Sequence, residues 1–154
     1  MKAVVAIGSN LGDRRAAIDY AIDRLKSLLV NPTLSEVIET EPEGVGPQPL
    51  FLNAVAVGDT SLDPRELLDA LLDIERDFGR TRPAPGAART LDLDLVLLGD
   101  TIVDAPGLQV PHPRFRERFF VLGPLSGVAP EMRDPITGMQ AWELLRALLR
   151  DETR

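Results

Sequence analysis

The sequence predicts an α+β fold of the ferredoxin-like, split β-α-β kind: an antiparallel sheet with helices on one side, plus a C-terminal extension. Three observations predict it. Apolar runs of strand length and amphipathic runs of helix length follow the order strand, helix, strand, strand, helix, strand. Glycine- and proline-rich turns separate the runs. The chain has 154 residues, 44% hydrophobic and 27% charged, which suits a single soluble domain over residues 1–154.

The first strand is the apolar run Val4 to Ile7, stopped by Gly8-Ser9-Asn10. The first helix follows from Ile18, Ala21, Ile22, Leu25, Leu28 and Leu29, which recur at one-face helical spacing. Asn10 or Asp13 caps its start and Asn31-Pro32 ends it. Leu34 to Glu39 reads as the second strand. Glu41 to Pro49 is rich in glycine and proline, so it is a loop, and its length suggests a function. Phe51 to Val57 is the third strand. A second helix opens at Pro64 behind Asp63, carries the stripe Leu68, Leu71, Leu72 and Phe78, and is closed by Gly79. Thr90 to Leu98 is the fourth strand, apolar on both faces and therefore expected to be central. Gly99-Asp100 reads as a tight hairpin turn into Thr101-Ile102-Val103. Trp142, Leu145, Leu148 and Leu149 predict a last helix.

Composition excludes several chemistries. The chain has no cysteine, so disulfides, thiolate nucleophiles and zinc-thiolate sites are absent. It has one histidine, His112, so any bound cation must rely on carboxylates, which points to magnesium or calcium. The formal net charge of −7 argues against nucleic-acid binding. The apolar start is too short for a membrane span or a signal peptide. A cytoplasmic monomer acting on small molecules is expected.

The sharpest chemical feature is Arg89-Thr90-Leu91-Asp92-Leu93-Asp94. In a strand, Asp92 and Asp94 share one face, with Leu91, Leu93, Leu95 and Leu97 on the other. Neighbouring carboxylates repel unless a cation, an arginine or a proton intervenes, and a pair of magnesium ions would resolve the conflict. A strand end with solvated acids is the competing reading. Arg80, Arg82 and Arg89 bracket the segment leading to the acids, and Arg114, Arg116 and Arg118 follow His112. Guanidinium forks suit phosphate oxygens, although surface ion pairing would use the same residues. Phe51 and Asn53 face one way on their strand, a ring to stack on a heterocycle and an amide to match its polar edge, or else a core pair. Glu75 interrupts the apolar stripe of its helix; it either faces a ligand cleft or pairs with an arginine.

Four segments then carry a resemblance: Ala6 to Asp13, Phe51 to Val55, Arg89 to Asp94 and Val110 to Arg114. In this order they resemble the 6-hydroxymethyl-7,8-dihydropterin pyrophosphokinases of folate biosynthesis, over about residues 3 to 130. The resemblance implies transfer of diphosphate from ATP to a pterin hydroxymethyl group, with AMP as the other product. It implies two magnesium ions on Asp92 and Asp94, with Arg80 and Arg89 acting in catalysis beside them. It implies ATP contacts from Glu75, Arg80, Arg82, Arg89, His112 and Arg118. It implies a pterin pocket of Thr40, Phe51, Asn53 and Phe120. The family often carries Trp-Gly-Pro before the arginine matched to Arg89, whereas here Pro83 to Ala88 is shorter and has no aromatic residue. The competing readings are a non-catalytic ferredoxin-like ligand-binding module and another magnesium-dependent nucleotidyltransferase.

Overall fold

A five-stranded antiparallel sheet organises the chain. The computed structural model describes residues 1–41, 49–80 and 90–152, with Arg80 and Glu152 described in backbone only. Strand β1 (Lys2–Ser9) lies between β4 (Phe51–Asp59) and β5 (Asp92–Leu98). Strands β2 (Val30–Leu34) and β3 (Ile38–Thr40) share the far side of β4. The path β2-β4-β1-β5 is that of the predicted split β-α-β unit.

The sheet is covered on both faces. Helices α1 (Arg14–Leu25) and α2 (Pro64–Arg80) pack Ile18, Leu25, Leu67 and Leu71 against Val5 and Ile7 of β1. On the opposite face, the C-terminal extension supplies α3 (Phe119–Val128) and α4 (Ala141–Glu152), which pack Leu122, Leu125 and Ala141 against Val4, Val55 and Val57. Alternation along β1 therefore feeds two cores, because successive side chains point to opposite faces.

Local chemistry explains most boundaries. Asp13 accepts from the Ala16 N–H at 3.0 Å and so caps α1. Asp63 and Glu66 exchange side-chain-to-backbone bonds of 2.8 and 3.0 Å, a capping box that opens α2. Gly12 precedes α1 at φ 72°, a left-handed conformation that favours glycine.

Several expectations need correction. Helix α1 ends at Leu25, before Leu28 and Leu29, and what reads as one strand over Leu34–Glu39 is two, β2 and β3, interrupted at Ser35–Val37. The buried stripe of α2 is Leu67, Leu71, Ile74 and Phe78, while Leu72 is exposed. Gly79 does not close α2, which runs on to Arg80. The segment after Gly99 does not pair back on β5. Instead β6 (Val103–Ala105) pairs with β7 (Leu108–Val110).

Strand β5 is an edge strand rather than a central one. Its exposed ladder groups are met by other partners, as an edge requires. The His112 N–H donates to the Val96 carbonyl at 2.9 Å, and the Leu93 N–H donates to Glu75 Oε2 at 2.7 Å. A register shift between Val4 and Val5 also changes the far end of β5. Val96 and Leu97 both join the α3–α4 core, while Leu95 and Leu98 join the α1–α2 core. Leu97 therefore lies on the face of the acids, not opposite them.

Leu71 is fully buried between α2 and the sheet. Leu71→Ala should destabilise the fold by about 2–5 kcal/mol, read from the urea midpoint at constant m-value. A loss below about 1 kcal/mol would contradict this packing.

Candidate active site

The register of β1 assembles the site. Gly8 pairs with Asn53 of β4 on one side and Asp92 of β5 on the other. Two residues back, Ala6 pairs with Val55 and Asp94. Opposed residues in an antiparallel pair share a face, so Asn53, Gly8 and Asp92 form one row and Asp94 the next. The small residues of β1 leave a hollow between the amide and the acids. A Cβ on Gly8 would lie 3.1 Å from Asn53 Oδ1 and 3.6 Å from Phe51 Cδ1.

This hollow is a cavity of about 330 Å³. Thr40, Phe51 and Asn53 line one wall, Glu75, Asp92 and Asp94 another, and Arg118 and Phe120 complete it from the start of α3. Asn53 is buried, and its Nδ2 donates to Thr40 Oγ1 at 2.6 Å. That bond fixes the amide orientation and leaves Oδ1 over Gly8. Arg14 ties the base of this wall: its Nη1 donates to Glu39 Oε2 and to the Leu50 carbonyl, both at 2.8 Å. Glu39 and Leu50 immediately precede Thr40 and Phe51.

The acidic wall is held from two directions. Glu75 projects from α2 and accepts from the Leu93 N–H, and among the described residues it pairs with no arginine. Ser9 Oγ donates to the Thr90 carbonyl at 2.6 Å, and Thr90 Oγ1 joins the Asn10 backbone and side chain at 3.0 and 2.9 Å. These bonds latch the end of β1 to the entry of β5, two residues before Asp92. Burial pushes the Asp92 carboxyl above its ordinary range, and the Asp94 charge adds to this. Burial likewise raises Glu75; the Leu93 N–H opposes the shift, and Asp92 and Asp94 reinforce it. Arg118 Nη1 lies 3.8 Å from Asp94 Oδ2, and its guanidinium sits 5.5 Å from the Phe120 ring centroid.

A second cavity, of about 640 Å³, adjoins the first through Asp94. His112, Asp104 and Gln109 contribute to its lining. His112 Nδ1 accepts from the Arg114 N–H at 3.1 Å, so in the neutral ring the proton is on Nε2. Val110–Pro111 is a cis peptide bond.

Among the described residues, no group of three or more acidic or histidine side chains is poised to hold a metal ion. Two carboxylates on one face nevertheless fit magnesium, which keeps several waters and commonly takes one or two carboxylates together with substrate phosphates. The donor set thus suits a cation arriving with a phosphate ligand.

Thr40, Phe51, Asn53, Glu75, Asp92, Asp94, Arg118 and Phe120 all meet at the first cavity, and His112 at the second. Arg82, Arg89 and the altered segment Pro83–Ala88 lie outside the described residues, as does the Arg80 side chain. Arg116 and Arg114 serve ion pairs with Asp134 and Glu117 rather than the cavities. Sequence reasoning missed Ala6 and Gly8. Their signal was small residues within an otherwise bulky apolar strand. It also missed Asp104 and Gln109, which only the β6–β7 hairpin brings near Asp94.

An acid with a raised native pKa costs stability above that pKa, and the cost disappears as pH falls through it. Asp94 and Glu75 share the cavity wall with Asp92, and Arg118 lines the same cavity. Without divalent cations, Asp92→Asn should therefore raise Tm at pH 7, and the gain should shrink as pH falls through the elevated Asp92 value. A pH-independent difference in calorimetric scans would contradict the raised Asp92 value.

Residues 4–130 match the family described as 7,8-dihydro-6-hydroxymethylpterin-pyrophosphokinase (HPPK). A 2-amino-4-hydroxy-6-hydroxymethyldihydropteridine pyrophosphokinase of Pseudomonas aeruginosa is 43% identical over 150 residues, 95% of this chain and 91% of that protein. The enzyme of the same name from Bacillus subtilis is 36% identical, covering 92% and 90% of the two chains. In fold, the chain is similar to the crystal structure of wild-type Plasmodium falciparum HPPK-DHPS, with TM-score 0.71 at 13% identity. That match covers 97% of this chain but 45% of the Plasmodium chain, so the likeness spans under half of that longer protein.

Proposed function

The chain belongs to the 7,8-dihydro-6-hydroxymethylpterin-pyrophosphokinase family, and from that premise we propose how its two joined cavities divide the work. The reaction moves the β,γ-diphosphate of ATP onto the hydroxymethyl group of 6-hydroxymethyl-7,8-dihydropterin, a step of folate biosynthesis. The supporting observation is the single row Asn53–Gly8–Asp92. It sets an amide-and-ring wall directly across from the acid pair, with a second, larger cavity beyond Asp94.

The pterin occupies the smaller cavity. Asn53, with its amide held by Thr40, meets the polar edge of the bicycle, while Phe51 and Phe120 take its faces. Gly8 lets the ring lie close to the sheet. ATP occupies the larger cavity, with its phosphates directed at Asp94. Arg118 and the ring N–H of His112 donate to phosphate oxygens, and Glu75 braces the strand that carries the acids. Arg80, Arg82 and Arg89 keep their sequence-based assignment to the phosphates, with Arg80 and Arg89 stabilising the charge that builds up during transfer.

The pterin hydroxyl oxygen attacks the β-phosphorus in line. The new O–Pβ bond forms as the bond from Pβ to the α,β-bridging oxygen breaks, AMP leaves, and the hydroxyl proton passes to solvent. Positioning and charge neutralisation carry the rate, so no general base is assigned. Asp92 and Asp94 would hold two magnesium ions, which supply neutralisation of the phosphate charge when bound. The protein works as a single-domain cytoplasmic monomer on these small molecules. Among the described residues, no helix is long and apolar enough to cross a membrane.

Incubation with ATP, magnesium and the reduced pterin alcohol should yield AMP. ADP as product, or no turnover, would overturn the reading. Asp94→Ala should lower turnover at least about a hundredfold with circular dichroism unchanged, since the lost charge stabilisation is worth several kcal/mol. Asn53→Ala should weaken pterin binding more than ATP binding in calorimetry, and equal losses would contradict the division between the cavities.

A further inference from the structure

The one fully buried carboxylate among the described residues lies outside both cavities. Asp134 has no solvent exposure and sits in the C-terminal extension, beyond the residues that match the family. It accepts from Arg116 Nε at 2.5 Å, Arg116 Nη2 at 3.0 Å, the Ile136 N–H at 3.0 Å and Thr137 Oγ1 at 2.8 Å. Four donors use up the acceptor capacity of a carboxylate. Burial works against its charge, but these donors prevail and hold the carboxyl below its ordinary range.

The loop presenting Asp134 is rigid by its own bonds. The Asp134 N–H donates to the Met139 carbonyl at 2.9 Å, and the Gly138 N–H donates to the Asp134 carbonyl at 2.8 Å. The Ala141 N–H then ties the start of α4 to the Met132 carbonyl at 2.8 Å. Arg116 is the middle residue of a single 3-10 turn, Phe115–Glu117. Its guanidinium lies 4.8 Å from the ring centroid of the buried Phe115. The turn begins at a bond from the Phe115 N–H to the His112 carbonyl and ends at one from the Arg118 N–H to the Phe115 carbonyl. The residues at its two ends, His112 and Arg118, are those that face the cavities.

We propose that Asp134 is a positioning residue for the phosphate side of the site, acting through the two-pronged Arg116–Asp134 bond to set the 3-10 turn between His112 and Arg118. A two-pronged bond fixes direction as well as distance, which a single contact does not. The C-terminal extension therefore serves nucleotide binding as well as covering the sheet. The proposal rests on the division of cavities given above.

Steady-state AMP formation and calorimetric binding of a non-hydrolysable ATP analogue test it on the full chain. Asp134→Asn should raise the ATP KM and the analogue Kd by about tenfold, the scale of a lost charge-assisted bond, with the pterin KM within about twofold. Arg116→Lys keeps the charge but not the two prongs, and should fall between the two, near about threefold. Leu144→Ala, destabilised in the same helical layer, should lower the melting temperature and leave both constants unchanged. Wild-type ATP KM and analogue Kd in Asp134→Asn would overturn the proposal. If that variant does not fold, unchanged constants in Arg116→Lys overturn it. Absence of AMP from the wild-type protein would instead overturn the functional reading, a distinct result.

Discussion

Pairing of β1 on both of its edges is the constraint on which the rest depends. Gly8 meets Asn53 and Asp92 only because β4 and β5 hold their registers against the same strand. A slip of one residue in either pair would turn every side chain of that strand to the opposite face. The amide wall would then point into the α1–α2 core, or the acids would. Burial on both faces makes such a slip costly, since Val5 and Ile7 feed one core and Val4 the other. The apolar cores thereby enforce the polar geometry of the site.

The acids are kept close at a thermodynamic cost. Asp92 and Glu75 both carry elevated pKa values, and burial is the leading cause of each. Such tension is expected where a fold holds part-buried carboxylates ready for a ligand. The structure confines the tension by making β5 an edge strand with chosen partners. Glu75 takes the Leu93 N–H, His112 covers the Val96 carbonyl, and the Ser9–Asn10–Thr90 latch fixes the entry. Two of these edge partners, the Glu75 carboxylate and the His112 main chain, belong to residues that also line the cavities, so edge protection and site construction draw on the same residues.

The extension completes the molecule in a second sense. Helices α3 and α4 close the face of the sheet that α1 and α2 leave bare, and α3 has Arg118 at its N-cap and Phe120 in its first turn. Covering the core and placing a cation and a ring at the cavity are thus consequences of one docking event. The Arg116–Asp134 pair makes that docking directional.

The sequence by itself determined the strand and helix order of the split β-α-β unit, the shared face of Asp92 and Asp94, the shared face of Phe51 and Asn53, and the start of α2 behind Asp63. Each follows from short-range periodicity or from a side chain reaching its own backbone, and such signals survive without tertiary context. Tertiary structure alone decided that β5 lies at an edge, that Val96 and Leu97 turn to one face, that Arg116 serves Asp134, and that Asn10 meets Thr90 and leaves the cap of α1 to Asp13. An edge and a centre look alike in an apolar strand, because a covering loop hides the exposed side as well as another strand would. A guanidinium fork fits a carboxylate as well as a phosphate, so only the packing of distant segments settles which one it meets.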